Sequence, residues 1–268
     1  MSVPQPQIRA EIPDHDPRQL HLVIDNPTAR NGLTAESAAE LGGLIAKASE
    51  DPSVRVIVLR GAGDHFCSGA DLRSSGGFLK DGPDSVRKRL KDGFHIASRA
   101  LFACPKPTLA VIRGACVGFG FDFAISADLR LAAEDATFGQ VFTKIGLVPD
   151  GGSSYSLPRL VGMGKAMELM MFGERFDGRE AARLGLVNRA VPGAELDALA
   201  TDWAARLADG PPVAYRTAKA NLHAAAGGTF DDALVREQEG QVVCALSKDA
   251  LIGVQAFFLK SKPKFEGK

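Results

Sequence analysis

The sequence predicts an α/β core followed by a helical region. Three observations carry that expectation. Apolar, β-branched runs alternate with segments of helical period as far as Gly152. Helical period dominates from Gly152 onward. Two of the strand-like runs lead directly into glycine-rich turns, the pattern of parallel strands joined by crossovers.

Along the chain, residues 1–18 read as a polar lead-in, and LHLVID (20–25) alternates as a strand does. Thr34 can cap a helix whose apolar positions are Ala38, Leu41, Leu44, Ile45 and Ala48, and Asp51-Pro52 stops it. VRVIVLRG (54–61) is a buried strand, GDHFCSGADL (63–72) a turn-rich loop, and a mainly helical segment runs from Asp84 to Ala103. TLAVIRG (108–114) is a further strand after Pro105-Lys106-Pro107. GACVGFGFDFAISAD (114–128) reads as a glycine-rich turn feeding a short helix. LRLAA (129–133) is a strand, and residues 136–152 read as loop and turn. Residues 1–200 are expected to form the α/β core and 201–268 a C-terminal helical region.

Composition narrows the function. Hydrophobic residues make up 45% and charged residues 24% of 268, an ordinary globular balance. Lys plus Arg and Asp plus Glu each number 32, so there is no basic surplus to neutralise phosphates and no nucleic-acid partner is expected. No run of eighteen uncharged apolar residues occurs, so no membrane partner is expected either. Cys67, Cys104, Cys116 and Cys244 have neither CxxC nor zinc-ligand spacing. With no apolar signal core near the N-terminus, they suit reduced thiols in the cytoplasm.

The chemistry concentrates in two turns, Phe66-Cys67-Ser68-Gly69-Ala70-Asp71-Leu72 and Gly114-Ala115-Cys116-Val117-Gly118-Phe119-Gly120. Glycines let a backbone turn sharply and approach a ligand closely. N–H groups from two such turns can converge on one oxygen and form an oxyanion hole, where losing one donor costs roughly 3–4 kcal/mol of barrier. Two ordinary strand-to-helix turns would look the same. A dinucleotide-binding turn fails on detail, because Phe123 stands where the third glycine is needed. Asp150 lies in Pro-Asp-Gly, which is a turn signal by itself. Asp122 falls in the first turn of a helix, where a carboxylate is favoured on structural grounds alone.

FCSGADL, followed by KPTLAVIRGACVGFGFDFAISADLRLAAEDATFGQVFTKIGLVPDGGSSYSLPRLVG, resembles the signature core of the crotonase, or enoyl-CoA hydratase/isomerase, family. The similarity runs from LHLVIDNPTARNGLT to FFLKSKPKFEGK. It implies a spiral of ββα units with a C-terminal helical trimerisation region, assembled as a homotrimer or a dimer of trimers. It implies an acyl-CoA thioester substrate, with coenzyme A part of that substrate and no separate cofactor or metal. The oxyanion donors would be the backbone N–H groups of Ala70 and Phe119; Phe119 stands where many members have glycine and would narrow the acyl pocket. The two glutamates of family hydratases correspond here to Asp122 and Phe142, an incomplete clamp for water. Asp150 matches the acid-base carboxylate of several isomerases, and its surroundings look most like the isomerases of the phenylacetyl-CoA pathway.

The resemblance therefore implies double-bond isomerisation by Asp150, with Asp122 as a candidate second acid-base group. Three alternatives stay open: a hydratase using Asp122 with Asp150, an aryl-CoA dehalogenase-like hydrolysis, and an acyl-CoA-binding protein with degraded catalysis. The dehalogenase reading pairs His95 with Asp150 but lacks a tryptophan where Phe142 stands. Arg30, Ala70, Asp71, Leu72, Phe257 and Lys260 match coenzyme A contacts, the last two reaching a neighbouring subunit. Phe78, His95 and Phe142 are the candidate acyl-pocket residues. Asp71 and Asp128 are expected to be structural.

Overall fold

The computed structural model describes residues 6–72 and 82–268. Its main sheet has six strands: β1 (Gln7–Glu11), β2 (Gln19–Asp25), β3 (Val56–Gly61), β4 (Thr108–Ile112), β6 (Leu129–Ala133) and β9 (Arg189–Val191), in the order β1-β2-β3-β4-β6-β9. Among the described residues, β1 alone in this sheet runs antiparallel to its neighbour. A second sheet joins β5 (Ala115–Val117), β7 (Thr137–Gly139) and β8 (Arg175–Asp177). From β4 to β7 the strands of the two sheets alternate along the chain, each pair followed by a helix: β4 and β5 lead into α4 (Phe119–Ile125), and β6 and β7 lead towards α5 (Ser153–Val161). This is the expected spiral of ββα units.

The central strands are buried on both faces, as parallel strands covered by helices must be. Val56 to Leu59 on β3 and all of β4 are buried. One face is covered by α1 (Ala35–Glu50), whose Leu41, Ile45 and Ala48 are buried, and α3 (His95–Ala103) packs against α1. Thr34 caps α1 in a reciprocal pair with Ser37, which satisfies two orphan amides at once. The other face is covered by α8 (Leu196–Asp209), through Leu196, Ala200, Ala204 and Ala208. The expected boundary at 200/201 thus falls inside a core helix. The helices after it are α9 (Pro212–Ala225), α10 (Phe230–Ala245) and α11 (Lys248–Leu259).

The structure corrects the sequence reading at five strands. β1 replaces part of the polar lead-in; it is an edge strand burying only Ile8, so it has no alternating apolar pattern. β5, β7, β8 and β9 have three residues each, too few for a period to register, and β8 and β9 lie inside the stretch read as helical. The segment expected as one helix from 84 to 103 is α2 (Pro83–Arg89), a π-helical stretch over Leu90–Phe94, and α3. Between α5 and β9 the chain forms α6 (Met163–Phe172) and α7 (Gly178–Arg183).

Candidate active site

The two glycine-rich turns are stitched together by backbone hydrogen bonds. Cys67 N donates to Ala115 O at 2.9 Å, and Val117 N donates to Cys67 O at 3.1 Å. Two residues on, Leu33 N donates to Gly69 O at 2.9 Å and Asp71 N donates to Leu33 O at 2.8 Å. The amide of Ala70, between these bonds, has no backbone acceptor among the described residues. In the facing turn, Gly118 has φ 55° and ψ −128°, a conformation that an L side chain strains to adopt. Gly118 reverses the chain so that Phe119 opens α4, where an amide has no acceptor within its own helix. A Cβ placed on Gly69 would stand 3.3 Å from Phe119 N, so the turns meet at the level of the Ala70 and Phe119 amides.

The Phe119 ring, expected to narrow the acyl pocket, is instead 1% exposed and turned into the core. It meets Phe94 edge-on at 4.7 Å and stacks on Phe123 at 6.1 Å. Its first-turn position aims the side chain towards the π-helical stretch that carries Phe94.

Asp122, one turn into α4, is wholly buried. Its Oδ2 accepts from Gly151 N at 2.8 Å, and its Oδ1 accepts from Gln140 Nε2 at 2.5 Å and from Ser153 Oγ. Burial pushes its carboxyl up to about 6, against these donors, which pull it down. Asp150 precedes the Gly151 amide that Asp122 holds. Its carboxyl is pushed up to about 7, first by burial and then by the charge of Asp122. Asp150 Oδ1 is shielded from solvent and has no hydrogen-bond partner. One carboxylate is therefore locked by donors on both oxygens, while the other, on the adjoining turn, keeps Oδ1 without a partner and is near neutrality in its proton affinity.

Gln140 and Ser153 are absent from the sequence reading, yet both are buried and both donate to Asp122. A polar residue just before a helix or at its first position was the available signal. Phe142 is buried in a 3₁₀ turn over Val141–Ile145. His95 follows directly on the π-helical stretch and is half-buried. Arg30 is exposed with φ 50°, and its carbonyl accepts from Ser68 N at 3.0 Å. Asp71 is buried and Leu72 is 51% exposed. Phe257 is 79% exposed near the end of α11, and Lys260 caps that helix with φ 49°. Phe78 lies outside the described residues. Asp128 accepts from Thr108 N and Oγ1, both at 2.8 Å, and pairs with Lys219, a structural role. Among the described residues, no three His, Cys, Asp or Glu side chains are grouped to hold a metal. Nor is any single helix there long and apolar enough to cross a membrane.

The enoyl-CoA hydratase/isomerase family model matches residues 20–268. The chain belongs to the enoyl-CoA hydratase/isomerase family. A Rhodobacter capsulatus protein named "Probable enoyl-CoA hydratase" is 37% identical over 247 residues, covering 92% of this chain and 94% of the relative. The 1,2-epoxyphenylacetyl-CoA isomerase of Escherichia coli is 30% identical over 249 residues, covering 93% and 95%. The crystal structure of an enoyl-CoA hydratase from Bacillus anthracis superposes with a TM-score of 0.91 at 30% identity, covering 97% of this chain and 99% of that one. The fold is the crotonase fold, and the protein is an acyl-CoA enzyme of this family. Relatives named for hydration and for isomerisation both lie near it.

Proposed function

We propose that this family member isomerises the double bond of an enoyl-CoA thioester, with Asp150 as its single acid-base group. The observation that carries the reading is the unpartnered, shielded Oδ1 of Asp150 on a carboxyl pushed up to about 7. A base with a pKa near neutrality is well matched to proton transfer at physiological pH. In the proposed reaction the amides of Ala70 and Phe119 donate to the thioester oxygen. Asp150 takes a proton from C2 of a 3-enoyl-CoA; the C–H electrons pass into a dienolate whose charge rests on that oxygen. The protonated Asp150 then returns the proton at C4, leaving the conjugated 2-enoyl-CoA. Asp122 acts through Asp150: it fixes Gly151 N–H, and its charge keeps Asp150 basic.

Replacing Asp150 by Asn tests this. With a purified 3-enoyl-CoA, kcat should fall by about 10²–10⁴-fold while KM changes little. Undiminished turnover would overturn the proposal. A hydratase is the second reading, favoured by the charge of Asp122 acting on Asp150 and by the Asp150 backbone amide donating to Asp122. It would add water across a 2-enoyl-CoA, which a 3-hydroxyacyl-CoA product labelled from ¹⁸O water would reveal.

The reaction as proposed needs no cofactor beyond the coenzyme A of the substrate. We also propose assembly as a homotrimer or a dimer of trimers, with Phe257 and Lys260 meeting a neighbour's coenzyme A and Arg30, Asp71 and Leu72 meeting the chain's own. The cytoplasm is the proposed setting, since Cys67, Cys104, Cys116 and Cys244 are free thiols.

A further inference from the structure

Behind the two turns lies a polar cavity of about 240 Å³ that the proposed reaction does not use. Its floor is the α8-facing side of the main sheet, at the strand ends from which both turns depart. The register places Arg9 and Arg60 on either side of Val23, and Val111 beside Arg60. Arg113 follows β4, His65 precedes the Ala70 turn, and Asp197 overhangs from α8.

The charges there are unevenly matched. Arg113 pairs with Asp197 at 2.9 Å and donates to Gly193 O at 2.7 Å. Arg9 pairs with Glu11 at 3.3 Å and with Asp25 at 3.2 Å. Arg60 is left with a loose 3.7 Å approach to the same Asp197, and its Nε–H is shielded from solvent with no acceptor. A buried guanidinium donor without an acceptor is costly, and a phosphate matches the guanidinium fork. Burial acts most against the Arg60 cation, the charges of Asp197 and of Glu11, which also lines the cavity, favour it, and Arg113 opposes it; a bound anion would add to the favourable side. His65 adds a donor: its Nδ1 accepts from Ala115 N at 3.1 Å, so the neutral ring carries its proton on Nε2.

We propose that this cavity binds a phosphate group, held by Arg60 with Arg113, Arg9 and His65 around it. Two sources share that chemistry, free inorganic phosphate and a phosphate of coenzyme A. Because His65 and Arg113 lead directly into the two turns, an occupant would brace the strand ends that carry them.

The test is calorimetric titration of the intact protein with sodium phosphate, against sodium chloride at equal ionic strength. Wild type should bind phosphate saturably, and Arg60→Gln should weaken binding by about tenfold or more. Asp197→Asn removes a competing acceptor and a like charge, so it should tighten binding by about threefold or more, which a merely unfolded variant cannot do. Repeating the titration with bound coenzyme A, and with bound 3′-dephospho-coenzyme A, distinguishes the sources. Blockade by either means that a coenzyme A phosphate occupies the cavity; simultaneous binding means that a free phosphate does. Absence of saturable binding, or equal affinity in wild type, Arg60→Gln and Asp197→Asn, would overturn the proposal.

Discussion

At Asp150 and Asp122 two carboxyls on adjoining segments are both raised, and they differ in what holds them. Asp122 is locked by Gly151, Gln140 and Ser153, whereas Asp150 Oδ1 is unpartnered. A base must be ionised to act, so the isomerase rate should rise with pH through an acid limb near 7 and then level off. Asp122→Asn removes the neighbouring charge and should move that limb to lower pH; a limb that stays in place would mean that another group titrates. Stability gives an independent check. The folded carboxyl of Asp150 sits at about 7 against an ordinary 3.8, so between these values the folded state holds more protons than the unfolded chain. Its contribution is fully present below pH 3.8 and is lost as pH rises through 7. Asp150→Asn should therefore stabilise the protein at pH 8, by roughly 1–3 kcal/mol after discounting for partial exposure, and hardly at pH 4. Thermal melts at the two pH values measure it. Asp150 and Asp122 are legible in the sequence as carboxylates beside glycine-rich or apolar segments. Gln140 and Ser153 are not, because facing Asp122 is a property of the packed fold and leaves no periodic trace.

Among the elements, the turns do most to position the site. Gly118 reverses the chain ahead of α4, and Gly151 lets the Asp150 turn lie against that helix. A Cβ on Gly151 would stand 2.6 Å from Asp122 Cβ and 3.0 Å from Phe119 Cδ2, with no flexible chain end to give way. Gly151→Ala should cost about 1–3 kcal/mol of stability and lower kcat by more than tenfold, because it displaces Asp150. Denaturant unfolding and steady-state rates read the two effects separately. The long strands and α1 were legible because each carries several periods of its pattern, and Thr34 marked its helix start. The three-residue strands of the second sheet carry less than two periods, and their pairing is set by neighbours distant in sequence. The direction of the Phe119 ring was hidden for the same reason, since Phe94 receives it from a different element.

Over the whole molecule, the core ends with α8, and the most exposed large apolar side chains among the described residues lie C-terminal to it. Leu246, Phe257, Phe258, Leu259 and Phe230 are each more than three-quarters exposed. Exposed side chains of this kind suit burial between copies. The chain's mass in solution, measured by light scattering, should be three or six times that of one protomer; a monomer would contradict the proposed assembly. The sequence could show that these segments are helical, but not that α8 belongs to the core, because its alanine-lined face is recognisable only against the sheet that it covers.

The central claim is proton transfer by Asp150 on an oxyanion-stabilised thioester, and hydrogen exchange in heavy water tests it most directly. A 3-enoyl-CoA incubated with the wild type should take up deuterium at C2 and C4 while converting to the conjugated 2-enoyl-CoA, and both processes should be lost in Asp150→Asn. Exchange and conversion that persist in Asp150→Asn, or a wild type that catalyses neither, would contradict it.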